Sequence, residues 1–249
     1  MTEDFNVVIP ARLGSTRLPG KVLQDIAGKP LLQHVYESAC KSRAAKVSIA
    51  TDNDQVLSVV ESFGAECIMT SPQHASGTDR LAETVKLLGL PADRVIVNVQ
   101  GDEMGLPPQL INQVADLLID FPDAQIATLC ERIVDARAID DPNVVKVVFN
   151  KDKEALYFSR SPIPWKKPAT NMPYYRHIGI YAYRAGFLKA FTALPKCKLE
   201  EQESLEQLRA LYHGMSILIE EACEEAGIGI DTLEDLDRAR KIYSDFSSV

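Results

Sequence analysis

The sequence predicts an α/β fold built on a parallel sheet, and three observations carry that expectation. Short apolar runs of strand length alternate with amphipathic segments of helical period up to residue 130, which is the pattern of right-handed βαβ units. Beyond residue 130, strand-like runs follow one another directly, so a β-containing lobe is added to the first half. A loop rich in glycine and cations follows the first strand, at the sheet edge where open α/β folds take ligands.

Phe5-Asn6-Val7-Val8-Ile9-Pro10 is a buried strand stopped by proline. Residues 11–29 form a loop, and Pro30 opens a helix to Lys41 with Leu31, Leu32, Val35 and Ala39 at helical spacing. Lys46–Ala50 is a strand, Asp54–Phe63 a helix, Cys67–Met69 a short strand, and Asp79–Leu88 a helix with Leu81, Val85 and Leu88 on one face. Arg94–Val99 is a continuous apolar strand that runs into Gln100-Gly101-Asp102-Glu103, followed by a helix over Pro108–Ile119 and a strand over Ile126–Cys130. Val144–Phe149 and Ala155–Ser159 are consecutive strands joined by Asn150-Lys151-Asp152-Lys153, and Ile178–Tyr183 is another. Leu199–His213 reads as one long helix, Ser216–Glu220 as a strand and Leu233–Tyr243 as a closing helix. No Gly/Ser-rich linker interrupts the chain. Residues 1–249 therefore form a single domain, with a first half at 1–130, a lobe at 131–215 and a return to the main sheet at 216–249.

Composition removes several function classes. A chain of 249 residues folds without disulfides or a structural metal. Its formal charge of −8 excludes a general nucleic-acid binder, which needs a basic field. The five cysteines, Cys40, Cys67, Cys130, Cys197 and Cys223, are odd in number and widely spaced, as reduced thiols of a cytoplasmic protein are. His34, His74, His177 and His213 show no zinc spacing. No run reaches the ~18 apolar residues of a membrane span, and the acidic start Met1-Thr2-Glu3-Asp4 is unlike a secretory signal. A cytoplasmic enzyme without membrane contact is expected.

The most informative stretch is Pro10-Ala11-Arg12-Leu13-Gly14-Ser15-Thr16-Arg17-Leu18-Pro19-Gly20-Lys21. Its glycines let backbone approach a phosphate, and Arg12, Arg17 and Lys21 neutralise it. It is no Walker A loop, because five residues separate Gly14 from Gly20 and Val22 stands where the Mg²⁺-binding hydroxyl belongs. It also lacks G-x-G-x-x-G, which argues against a dinucleotide fold. The fourth predicted strand delivers Asp102 to the same sheet edge, and a carboxylate beside a phosphate site calls for a cation between them, usually Mg²⁺. Asp231, 129 residues further on, precedes Thr232 as helix N-cap with Asp235 at N3. Spacing alone leaves open whether Asp231 caps the helix or joins Asp102 on Mg²⁺. Asp52-Asn53-Asp54 fits a glycosyltransferase Asp-x-Asp pattern, but its place before a helix favours capping.

From end to end the chain resembles the CMP-Kdo synthetase (3-deoxy-manno-octulosonate cytidylyltransferase) family. The matching stations, in order, are Ile9-Pro10-Ala11-Arg12, Ser15 to Lys21, Ala50-Thr51-Asp52, Ser76-Gly77-Thr78-Asp79-Arg80, Val97 to Glu103, Tyr157-Phe158-Ser159-Arg160, Ile163-Pro164-Trp165, Arg176 to Tyr181, Leu205 to Arg209 and Asp231-Thr232. The resemblance implies a Rossmann-like nucleotidyltransferase fold, a mixed and mostly parallel sheet with helices on both faces, plus a small lobe that binds sugar and helps form a homodimer. It implies transfer of CMP from CTP to Kdo with release of pyrophosphate, for lipopolysaccharide biosynthesis. By position it implies Arg12, Arg17 and Lys21 on the triphosphate, Ser76, Arg80 and Gln100 on the nucleoside, and Asp102 and Asp231 on Mg²⁺. Arg160, His177, Tyr181, Glu206 and Gln207 are implied sugar contacts, and Lys21, Arg12, Asp102 and Asp231 the catalytic set. A related acid sugar, amino-Kdo or sialic acid, is the alternative acceptor. The family pattern is departed from at Met104-Gly105, where proline is usual, and at Glu225-Ala226-Gly227-Ile228-Gly229, before Asp231.

Overall fold

Phe5–Ala11 forms β1 at the centre of a nine-stranded sheet, and its residues are buried on both faces. The computed structural model describes residues 5–14, 18–166 and 172–246. After β1, a 3₁₀ turn at Lys21–Leu23 leads into a small hairpin, β2 (Asp25–Ile26) and β3 (Lys29–Pro30), and then α1 (Leu31–Ala39). The βαβ alternation continues through β4 (Lys46–Thr51), α2 (Asp54–Ser62), β5 (Glu66–Met69), α3 (Gly77–Leu87) and β6 (Val95–Asn98). β7 (Glu103–Met104) is a two-residue strand, followed by α4 (Pro108–Asp120), β8 (Ile126–Arg132) and α5 (Arg137–Asp140). The remainder is β9 (Lys146–Phe149), β10 (Ala155–Ser159), β11 (Tyr175–Arg184), α6 (Ala185–Thr192), α7 (Lys198–Glu203), α8 (Leu208–Tyr212), β12 (Leu218–Glu221), β13 (Ile228–Gly229) and α9 (Leu233–Phe246).

The strands β6, β1, β4 and β5 pair in parallel, as the alternating sequence predicts. Their side chains divide between two cores. Val7, Ile9 and Val97 pack with α1, α2, α4 and α9 on one face, whereas Val8, Ala50 and Ile96 pack with α3, α6 and α8 on the other. A parallel strand covered on both faces must be apolar at consecutive positions, which is why these runs lack alternation. Among the described residues, no helix is long and apolar enough to cross a membrane.

The second half extends this same sheet rather than adding a layer of its own. β11 runs antiparallel to β6 through Tyr181–Arg184, to β8 along its length, and to β9 at its start. The β9–β10 hairpin therefore forms one edge of the common sheet. The register of β11 against β8 slips between Ile178 and Tyr181, a bulge of the kind that re-aims side chains near binding sites.

The expected long helix over residues 199–213 is two short ones. Ser204 adopts φ 53°, a left-handed conformation that ends α7. The break is closed by a buried bidentate pair, with Arg209 Nε donating to Glu200 Oε2 at 2.8 Å and Nη2 to Oε1 at 2.5 Å. Helical periodicity in the sequence cannot register a one-residue reversal that a distant ion pair stabilises. Glu206 and Gln207 consequently lie in the turn before α8 rather than on a continuous helix.

Candidate active site

β1, the 3₁₀ turn and the chain leaving β6 meet at one end of the sheet, around a cleft of about 380 Å³. Gly20, at φ 63°, turns the loop, and its N–H donates to Leu13 O at 3.2 Å, which brings Lys21 back beneath the strand ends. Gly101 lets the acidic turn close on β1, since a Cβ there would stand 3.0 Å from Pro10 O. The sequence thus brings the cationic and acidic segments together through two positions that only glycine fills without strain.

Lys21 ties the centre together. Its ammonium forms an ion pair with Asp102 and donates to Asp231 Oδ1 at 2.9 Å. Burial by itself would lower the Lys21 pKa, but the two carboxylates more than offset it and hold the value above the ordinary one. Asp231 stands beside Asp102, while the helix is capped by Thr232, whose Oγ1 accepts from Asp235 N at 3.2 Å. The device that joins the two acids is the pairing of β13 with β7, reinforced by Ile230 N–H donating to Asp102 O at 3.0 Å. Both departures from the family pattern sit in this pairing. Met104 is opposite Ile228, and Gly227 passes so near β7 that a Cβ would stand 2.3 Å from Met104 O. Burial, and then the charge of Asp102, push the adjacent Glu103 carboxyl up to about 7.

The other cleft residues divide by what they touch. Arg12 is exposed and lines the cleft with Lys21. Arg17 lies outside the described residues. Ser76 lines the cleft and caps α3, its Oγ accepting from Asp79 N at 3.2 Å while Asp79 Oδ2 accepts from Ser76 N at 3.0 Å. This Ser-x-x-Asp capping box starts α3 two residues earlier than the apolar periodicity indicates. Arg80 is 4% exposed and donates to Asp52 Oδ2 at 2.7 Å and to Thr70 Oγ1. Asp52 is thus the anchor of a buried guanidinium, and Asn53 caps α2 by accepting from Gln55 N and Val56 N. The Asp-x-Asp pattern is therefore a cap and an ion pair.

A second cavity of about 210 Å³ adjoins the first through Gln100, which lines both. Tyr181, Glu206 and Gln207 line it, together with Asn98, Thr78 and Gly179, which the sequence reading did not single out as site residues. Thr78 Oγ1 donates to Glu206 Oε2, and Arg209 also reaches Glu206 at 3.5 Å. His177 stands behind this cavity, its ring packed against Phe158 and Tyr181. Its Nε2 lies 3.0 Å from Thr128 Oγ1, whose own proton goes to Ile180 O at 2.7 Å. Burial pushes the His177 pKa down to about 3, which keeps the ring neutral. Arg160 stands apart from the cavity lining. Its guanidinium donates to the carbonyls of Glu203 at 2.7 Å and Pro142 at 2.8 Å. The structure thus gathers Arg12, Lys21, Ser76, Arg80, Gln100, Asp102 and Asp231 at the first cavity and Tyr181, Glu206 and Gln207 at the second.

The chain is similar to known proteins along almost its whole length. The cytidylyltransferase family model matches residues 6–217. The 3-deoxy-manno-octulosonate cytidylyltransferase of Francisella philomiragia is 50% identical over 246 residues, covering 96% of this chain and 98% of that protein. Its counterpart in Pseudomonas syringae is 51% identical over 251 residues, covering 97% and 99%. A solved CMP:2-keto-3-deoxy-manno-octonic acid synthetase complexed with CTP superimposes with a TM-score of 0.90 at 44% identity, covering 97% and 99%. A putative glucose-1-phosphate thymidylyltransferase from Bacillus anthracis, at 16% identity, TM-score 0.66 and coverage of 97% and 96%, shares the fold alone. Identity near one half along almost the whole chain, on a nucleotidyltransferase fold with this paired-acid cleft, means that the chain belongs to the 3-deoxy-manno-octulosonate cytidylyltransferase family.

Proposed function

We propose that this nucleotidyltransferase transfers the CMP group of CTP to the anomeric hydroxyl of Kdo and releases pyrophosphate. One observation carries the reading: a cationic and acidic cleft, centred on Lys21 between Asp102 and Asp231, opens through Gln100 into a second, polyhydroxyl-sized cavity. Two substrates in contact at one point are what a direct transfer needs. The hydroxyl attacks the α-phosphorus in line and the bond to pyrophosphate breaks, with no covalent protein intermediate. Arg12 and Lys21 neutralise charge on the triphosphate and on the leaving pyrophosphate. Arg17 belongs to this set on sequence grounds. Arg80, Ser76 and Gln100 shape the nucleoside side, and Tyr181, Glu206 and Gln207 the acceptor side.

Mg²⁺ is part of the proposal. The donor set suits it, because hard carboxylate oxygens of Asp102 and Asp231 already converge on one cationic group, and Mg²⁺ is commonly held by one or two carboxylates with substrate phosphates completing its shell. When bound, the ion supplies charge neutralisation at the α-phosphate and acidifies the attacking hydroxyl. The homodimer and the cytoplasmic location stay with the proposal. Exposed Leu156 and Trp165, at 60% and 79%, support the homodimer as apolar surface in the lobe. The test is pyrophosphate release with CTP and, separately, Kdo, amino-Kdo and sialic acid. Release with Kdo at the highest kcat/KM is expected, and preference for either other sugar overturns the assignment.

A further inference from the structure

β6 and its continuation act as a ruler along the site. Asn98, Gln100 and Asp102 stand at every second position where the chain leaves β6 and turns, with Asp102 lining the outer cleft, Gln100 both cavities and Asn98 only the inner one. Asn98 is the one polar residue in Val95-Ile96-Val97-Asn98-Val99 and is 2% exposed. Its Oδ1 has no hydrogen-bond partner among the described residues, and neither has the hydroxyl of Tyr181, which is 8% exposed. The two residues are register partners on β6 and β11, so their side chains share one face of the sheet.

A buried polar atom left unsatisfied is unfavourable, and native proteins rarely retain one without a purpose. Valine at this position would continue the strand without that penalty. Neither group can turn away to find a partner. Asn98 is fixed in the ladder between Val8 and Tyr181, and the Tyr181 ring is held by His177 at 5.3 Å and stacked on Tyr183 at 5.6 Å. Phe191 and Ile126 contribute apolar surface to the cavity, so a ligand atom there must meet these two polar atoms itself.

We propose that Asn98 is a specificity-determining residue, whose side-chain amide, on the sheet face it shares with Tyr181, hydrogen-bonds one hydroxyl of the acceptor sugar. The proposal rests on the acceptor reading of the inner cavity given above. It makes selectivity depend on a group built into the sheet floor, where a deoxygenated sugar leaves both polar atoms unpaired and is rejected for that reason.

The experiment measures kcat/KM by pyrophosphate release at saturating CTP, for Kdo and for Kdo lacking the hydroxyl at C4, C5, C7 or C8 in turn. Wild type and Asn98→Val are assayed in parallel, with the KM for CTP as a check on the folded nucleotide cleft. Wild type is expected to lose at least about tenfold on one analogue, and Asn98→Val to use Kdo and that analogue about equally. If wild type releases no pyrophosphate with Kdo, the functional reading fails. If it uses Kdo but accepts every analogue within about threefold, or if Asn98→Val keeps the wild-type discrimination, the role of Asn98 is overturned. Should Asn98→Val fail to fold, Asn98→Ser takes its place with the same outcomes, and the wild-type panel decides by itself if no analogue is rejected.

Discussion

Gly227→Ala separates the two acids of the centre without touching either of them. An added Cβ would stand 2.3 Å from Met104 O and 2.6 Å from Leu106 N, both backbone atoms that cannot rotate away. Ordinary contact begins near 3.4 Å, so the segment must retreat by about 1 Å. The retreat breaks the β13–β7 pairing and the Ile230–Asp102 bond, and carries Asp231 away from Lys21, where the present distance is 2.9 Å. Loss of a few net hydrogen bonds at about 1 kcal/mol each leaves most of the fold's stability in place. Misplacement of a catalytic group by about 1 Å lowers turnover by about 100-fold. The assay is kcat for pyrophosphate release across a Mg²⁺ titration, with thermal melting in parallel. Gly89→Ala serves as control for backbone strain without a clash, because Gly89, unlike Gly227, is left-handed at φ 62° and has nothing within 4 Å of its Cβ position. Turnover of Gly227→Ala within about threefold of wild type would refute the claim that this close approach aligns the centre.

Three further outcomes follow from the same geometry. Asp102→Asn keeps the shape but removes one of the charges on Lys21, and turnover is expected to fall by about 1000-fold with melting unchanged; near-normal turnover at saturating Mg²⁺ sinks the assignment. Glu200→Ala removes the bidentate partner of the buried Arg209 and leaves it the longer contact to Glu206 at 3.5 Å, which costs about 3 kcal/mol, a melting shift of roughly 6–12 °C for a chain of this size. It also raises the KM for the acceptor, since the turn bearing Glu206 and Gln207 is closed by that pair; a shift under about 2 °C speaks against it. His177 is held neutral by burial, with a pKa near 3 in the fold against about 6.5 when unfolded. Protons therefore bind the unfolded chain preferentially between those values. The stabilisation is complete above about pH 6.5 and is lost as pH falls toward 3, by at most ~1.4 kcal/mol per unit. Denaturant unfolding at pH 7 and pH 5 should show this slope in wild type and a smaller one in His177→Gln; equal slopes contradict it.

The parallel half of the fold is legible because its signals are local. Strands such as Val95–Asn98 are apolar on both faces, and helices such as Pro108–Asp120 carry one apolar stripe and a proline start. The two short helices near residue 204 are not legible, because their break is a left-handed Ser204 stabilised by Glu200 and Arg209, nine residues apart. α3 begins at Gly77 behind the N-cap Ser76, through a capping box legible as Ser-x-x-Asp that lies before the apolar face. Asn98 offered a signal too, a lone amide in an apolar strand, yet only its unpartnered Oδ1 beside a cavity gives the amide a purpose.

The net charge of −8 says nothing about how a cleft for anions is made. By itself the sequence determined the α/β class, the cationic loop with Arg12 and Lys21, the delivery of Asp102 to the sheet edge, and the family resemblance, since each is written in a short run of residues. Tertiary structure alone decided that Asp231 joins Asp102 on Lys21, that Arg80 is anchored by Asp52, and that β11 places Tyr181 opposite Asn98. Each of those contacts joins segments far apart in the chain, and their partners are chosen by sheet register and by close backbone approach at glycine, which no local pattern encodes.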